Sequence, residues 1–236
     1  IFVEFDDRTP SASYWFDLGN FNEGIDSALQ GLKEEDYQKV QNAIIRTEDL
    51  LKENASLQDS YKRFPRTLDF LFFSKQYLTR TREDIYDIDL RLLKELCLYL
   101  AFQMGYDYVI LDLSADIDED VMRNALLYSS KVFMTVTQDV CSIGHALYLL
   151  NELFKQGISV SSKLYYIINR YEEADLNFKG ISEWVESKKL LTVPCLNKDF
   201  INANYFGLPV ILYSKNRQLK SAFRNIETTI LGGASF

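Results

Sequence analysis

Histidine, cysteine and proline are scarce in this chain, and the long apolar runs of membrane-spanning proteins are missing. One histidine and three cysteines (Cys97, Cys141, Cys195), far apart and without a C-x-x-C pair, support neither a zinc-ligand set nor a disulfide framework. Packing is the expected role of each thiol. No stretch approaches about 18 uncharged apolar residues, and the opening IFVEFDDRTP carries acids where a signal peptide carries Lys or Arg. A soluble, cytosolic protein is expected. Four prolines, no internal repeat and no low-complexity segment argue against a linker between domains. Neither G-x-x-x-x-G-K-S/T nor G-x-G-x-x-G occurs, and the glycine pair Gly232-Gly233 follows a helix-like segment with no lysine after it. That pair cannot cradle a phosphate.

Positive charge is also in short supply: 26 Lys and Arg face 34 Asp and Glu, a formal net charge of −8. This argues against a generally nucleic-acid-binding surface, because phosphate contacts need clustered cations. One local exception stands near the carboxyl end, where Lys215, Arg217, Lys220 and Arg224 lie close together. A solvated helix face is favoured there over contact with nucleic acid or an anionic membrane.

What the chain does have is apolar content in a regular alternation. With 236 residues, 47% of them hydrophobic, it can fill one substantial core. Strand candidates are 1–5 (IFVEF), 68–74 (LDFLFFS), 108–111 (YVIL), 131–136 (KVFMTV), 163–169 (KLYYIIN), 190–194 (LLTVP) and 208–212 (LPVIL). Helical segments lie between them: a short one ending at GIDSALQGL, then 34–54, 88–104 stopped by Gly105, 117–129, 141–156, 175–187, 198–206 and 216–231. Strands alternating with helices predict βαβ units, and so a single α/β domain with three layers (α/β/α) and a mainly parallel sheet. The run Tyr108-Val109-Ile110-Leu111 is continuous rather than alternating, which suits a strand covered on both faces. It stops on Asp112, at the carboxyl end where such sheets place ligands. In the last helix Phe223, Ile226 and Ile230 form an apolar stripe beside Lys220 and Arg224. Packing against the sheet is expected of it, with a membrane-surface helix as the alternative.

Taken in order, several segments resemble the ParA/MinD family of deviant Walker A ATPases, a branch of the P-loop NTPases. The opening IFVEFDDRTPSASYWFDLGNFNEGIDSAL is similar to that family's second strand and switch region, with Glu4-Phe5-Asp6 at its D-x-D element. YDYVILDLSAD resembles the Walker B strand, KVFMTVTQDVCSIGHALYLLNEL the next strand and helix, and KLYYIINR the strand ending in Asn-Arg. LLTVPCLNKDFINANYFGLPVI resembles the stretch from a hydrophobic-Pro segment to Gly-x-Pro-Val. The likeness covers essentially the whole chain, and its character is nearest to the pilus-assembly branch called TadZ or CpaE. The family's first strand, P-loop and first helix are not among these residues; the resemblance implies that they belong immediately before Ile1.

The resemblance implies a P-loop NTPase-like fold that binds ATP or ADP with Mg2+, and a role for each matched residue. Asp6 would orient or activate the attacking water, and Asp112 would hold Mg2+ through a bound water. Asn169 would read the adenine, with Arg170 and the backbone of Pro194, Cys195 and Asn197 completing the base pocket. A homodimer closed by nucleotide, weak ATP hydrolysis and protein partners in a membrane-associated assembly are also implied. The place of action would be the cytoplasm or the inner face of the membrane. Without the resemblance, Asp6 and Asp112 read as acids where strands meet water, and Asn169 as a turn former. Two departures point toward the atypical branch. Glu4 replaces the first acid of the D-x-D element, and Leu113-Ser114-Ala115-Asp116 lack the Pro or Gly that usually follows the Walker B acid. An interaction scaffold that keeps the fold without nucleotide is the alternative reading.

Overall fold

Phe2–Glu4 forms the strand anticipated at the start of the chain (β1), and it gains parallel neighbours on both sides. The computed structural model describes residues 1–5, 21–49, 65–78, 89, 92–113, 119–174, 176–205 and 209–232. They fall into two compact units, Ile1–Tyr128 and Ser129–Phe236.

In the first unit β1 lies between Phe70–Leu71 (β2) and Ile110–Asp112 (β3), with all pairs parallel. Parallel neighbours need long crossovers, and the helices of the unit lie in those connections. Helix α1, Ile25–Lys33, buries Ile25, Ala28 and Leu29, the spacing of one helical face. Helix α2, Tyr37–Asn42, is capped by the Asp36 carboxylate accepting from Lys39 N–H. After the short α3, Lys75–Leu78, comes α4, Leu93–Leu98, which runs into a π-helical turn at Tyr99–Gln103. Gly105 ends this segment in the left-handed region at φ 74°, a conformation that glycine adopts without steric cost. Helix α5 spans Glu119–Tyr128. Val3, Leu29, Leu71, Leu93, Leu96 and Leu100 are buried to 1% exposure or less and form the core with Val121 and Ala125 of α5. Each such aliphatic side chain contributes about 1.5–3 kcal/mol of burial.

The second unit repeats the logic with Val132–Thr137 (β4), Leu164–Tyr171 (β5) and Leu190–Pro194 (β6), parallel in the order β4-β5-β6. The connections are α6, Val140–Lys155, and α7, Phe178–Trp184; α8, Asn197–Tyr205, α9, Val210–Tyr213, and α10, Arg217–Ile230, follow β6. Side-chain oxygens of Asp139, Asn177 and Asn216 cap α6, α7 and α10, each satisfying backbone N–H groups that a helix start leaves without partners. Lys131 Nζ donates to the carbonyls of Thr229 and Ile230, placing a cation at the negative end of α10.

Four expectations are corrected. The helix expected over 34–54 breaks after Asn42, because Ile44 and Ile45 are both buried and Ile45 forms an antiparallel bridge with Phe70; two adjacent β-branched residues suit extended backbone. Of LDFLFFS, only Phe70 and Leu71 pair as strand, since the Phe72 carbonyl turns to accept Ile25 N–H at 2.7 Å. The strand expected at 208–212 is instead the helical turn α9 after Pro209, and a four-residue apolar run has no periodicity to separate the two forms. Tyr108 and Ile110, expected to be covered, are 47% and 44% exposed, because only the alternate residues Val109 and Leu111 pack against the core of this unit.

Candidate functional site

Glu4 and Asp112 meet at the carboxyl ends of β1 and β3. They are register partners, and Phe5 N–H donates to the Asp112 carbonyl at 2.8 Å. Register partners share a sheet face on strands about 4.8 Å apart. Two carboxylates therefore stand side by side, Glu4 only 1% exposed and Asp112 partly buried. Two acids placed side by side favour a cation nearby. Hard oxygen donors from one or two side chains suit Mg2+, which keeps much of its hydration and completes its shell with phosphate oxygens. Among the described residues no group of three or more His, Cys, Asp and Glu could hold a metal. A closed transition-metal cage is thus not offered by those residues, and the donor set fits a shared Mg2+ site. Asp6, the expected water-activating acid, lies outside the described residues. Sequence reasoning noted Glu4 as a departure from a motif; its burial depends on packing that no local pattern reports.

The residues expected to surround an adenine gather at the carboxyl ends of β5 and β6. Tyr171 is paired with Pro194 beyond a register irregularity that begins at Ile168, and Cys195 N–H donates to Tyr171 O at 3.0 Å. Asn169 Oδ1 accepts Arg170 N–H at 3.0 Å, and Arg170 sits at φ 55°. Asn197 begins α8 with its Oδ1 3.5 Å from Cys195 Sγ.

Beside them a cleft of about 390 Å³ opens, lined by Thr137, Gln138, Asp139, Arg170, Glu172, Ala174 and Leu176. Gln138 crosses one side of it: its Nε2 donates to the carbonyls of Glu172 (2.8 Å) and Leu176 (2.6 Å), and its Oε1 accepts Glu172 N–H at 2.9 Å. Asp139 is held below the usual carboxylate range by the Thr137 hydroxyl and then by the Ser142 backbone N–H. Gln138 and Glu172 were not anticipated. The available signal was position, since Gln138 directly follows the strand KVFMTVT.

The apolar stripe and the basic residues Arg217, Lys220 and Arg224 separate onto two sides of α10, with Lys215 just before it. Leu219 and Ala222 are buried, and Phe223 and Ile226 pack against Val193, Ala203 and Val210. Lys215, Arg217, Lys220 and Arg224 are exposed, with no ion pair among the described residues. Phe223 and Ile226 of the expected stripe therefore belong to the core of this unit. No helix among the described residues is long and apolar enough to cross a membrane.

The three thiols should differ in reactivity. Burial pushes Cys97 up to about 11, and a hydrogen bond to the Glu172 carboxylate raises Cys195, whereas Cys141 is exposed. Only the thiolate is nucleophilic, so a maleimide at pH 7.5 should label Cys141 first, Cys195 more slowly and Cys97 last. Peptide mass mapping against time checks the order; early labelling of Cys97 would contradict its burial.

No protein-family model matches the chain, and no curated protein does either. Solved structures do. The septum site-determining protein MinD with Mg-ADP from Pyrococcus horikoshii superposes with a TM-score of 0.69 at 18% identity, covering 98% of this chain and 84% of that one. A MinC:MinD cell division complex from Aquifex aeolicus gives 0.58 at 15% identity, with 98% and 95% covered. A ParA family ATPase from Chlorobium tepidum gives 0.55 at 19%, with 75% and 74% covered. At these identities the likeness speaks for architecture, and the chain has the parallel-stranded, P-loop NTPase-like α/β fold of the MinD and ParA ATPases.

Proposed function

We propose that the chain forms a single domain that acts as a nucleotide-dependent switch of the MinD/ParA kind, one that dimerises to position a larger assembly. The observation that carries this reading is the register pairing of buried Glu4 with Asp112 at the ends of two parallel strands, in a fold shared with an Mg-ADP-bound protein. Residues 1–236 contain no P-loop motif, and this reading rests on the strand-end acids and the base-site residues. Asp112 holds the cation, with the Glu4 carboxylate adding negative charge beside it. Asp6 orients the attacking water. Asn169, Arg170, Pro194, Cys195 and Asn197 bind the base of ATP or ADP. When bound, Mg2+ would neutralise phosphate charge and tie phosphate oxygens to the strand ends.

Glu4 at the first acid of the element, and the lack of Pro or Gly directly after Asp112, favour slow turnover and the pilus- or secretion-assembly branch over efficient partition ATPases. A homodimer with protein partners at the cytoplasmic face of a membrane follows from that branch.

The test is the melting temperature of the full-length protein with and without Mg-ATP, beside Asp112→Ala. Ligand at about 100 times its dissociation constant adds roughly 2.7 kcal/mol, on the order of 5–10 °C for a domain of this size. Wild type should shift by that amount and Asp112→Ala by less than half of it. If neither protein responds, Asp112 is a strand end meeting water and the chain is a scaffold without nucleotide.

A further inference from the structure

We propose that Gln138 is the positioning residue of the base-binding loop, a role that rests on the reading of Asn169 and Arg170 as base contacts. Asn169 and Arg170 lie near the end of β5, just before its last residue Tyr171, and the following loop leads to Asn177, the cap of α7. Arg170 is a non-glycine residue at φ 55°, a conformation that costs on the order of 1 kcal/mol and persists only where surroundings hold it. Gln138 supplies the hold. All three of its hydrogen bonds go to the backbone of this loop, to both the N–H and C=O of Glu172 and to the C=O of Leu176. Gln138 thus ties the end of β4 to the loop that leaves β5, two residues beyond Arg170.

The consequence is chemical. With Arg170 held left-handed, its N–H occupies Asn169 Oδ1 at 3.0 Å, which leaves the Asn169 amide NH2 as the donor for a ligand. A donor suits the unprotonated N1 of adenine and disfavours guanine, whose N1 carries a proton. Gln138 therefore governs base preference without touching the base.

The experiment is calorimetric titration of the full-length protein with Mg-ATP, Mg-GTP and tripolyphosphate, using wild type, Gln138→Ala, the isosteric Gln138→Glu and Asn169→Ala. Hydrogen exchange at Glu172 N–H reports the clamp directly. Both Gln138 variants are expected to weaken Mg-ATP about tenfold, narrow the ATP-over-GTP preference and leave tripolyphosphate within about twofold; in Gln138→Ala, Glu172 N–H should also exchange faster. Equal losses for all three ligands would make Gln138 merely structural and overturn the proposal. So would unchanged Mg-ATP affinity in both Gln138 variants while Asn169→Ala weakens it. Unchanged affinity in Asn169→Ala, or no Mg-ATP binding by wild type, would instead remove the underlying base-site reading and the proposal with it.

Discussion

Gly24→Ala should destabilise the first unit by about 3 kcal/mol or more, the upper range for overpacking against atoms that cannot step aside. A Cβ there would lie 2.3 Å from Ser74 N, 2.4 Å from Phe72 O and 2.7 Å from Phe73 C, all backbone. The contacts it would disrupt fix the start of α1. Ile25 N–H donates to Phe72 O at 2.7 Å, and the Asp26 carboxylate accepts both Ser74 N–H (2.9 Å) and Ser74 Oγ–H (2.8 Å). Gly144→Ala is the matched control, because nothing lies within 4 Å of its added Cβ and it sits inside α6. There the substitution should stabilise by about 0.5–1 kcal/mol. Urea denaturation gives both numbers, and hydrogen exchange should place the Gly24 loss in residues 25–33 and 70–78. A Gly24→Ala protein as stable as wild type would mean that α1 does not approach the chain after β2 this closely.

Ile168→Ala should cost the second unit about 3–4 kcal/mol, from lost burial and the cavity left behind. Ile168 has 0% exposure on the central strand β5, where its register partners are Val136 on β4 and Thr192 on β6. Ile168→Val removes one methylene and should cost only about 0.5–1.5 kcal/mol. The residue also immediately precedes Asn169, so the alanine variant should loosen the loop that Gln138 holds. Faster exchange at Arg170 and Glu172, together with the denaturation midpoint, tests both effects. A loss under about 1 kcal/mol would show that the site collapses around the missing atoms and that the strand is less tightly packed than its burial indicates.

Strand and helix identity was readable wherever apolar residues recurred over several turns or ran unbroken between turn signals. KLYYIIN, KVFMTV and LLTVP became β5, β4 and β6, and the helix expected over 141–156 formed within a residue of each end. Reading failed where a partner far along the chain decided the outcome. Ile45 leaves its helical pattern to pair with Phe70, and Phe72 leaves its strand pattern to receive Ile25. Val210 to Tyr213 turns helical after Pro209, whose missing N–H suits a helix start. The candidate sites divide the same way. Asp112 ends β3 and Asn169 lies near the end of β5, both recognisable strands, so their placement in the sheet could be anticipated. The burial of Glu4 and the three-bonded clamp of Gln138 are products of register and loop path, to which periodicity is blind.

The π-helical turn at Tyr99–Gln103 carries one residue more than a regular turn, as the bond from Met104 N–H back to the Tyr99 carbonyl marks. That surplus is slack in the length of the chain. Were Ala101 absent, the same bond would span four residues instead of five, and Leu93, Leu96 and Leu100, all to its N-terminal side, would keep their places in the core. Elsewhere in a helix, losing one residue turns everything after it by about a quarter of a revolution. Descendants or ancestors of this sequence are thus free to differ by one residue here without redrawing the core, and an alignment gap at this point would record a change of winding rather than a change of fold.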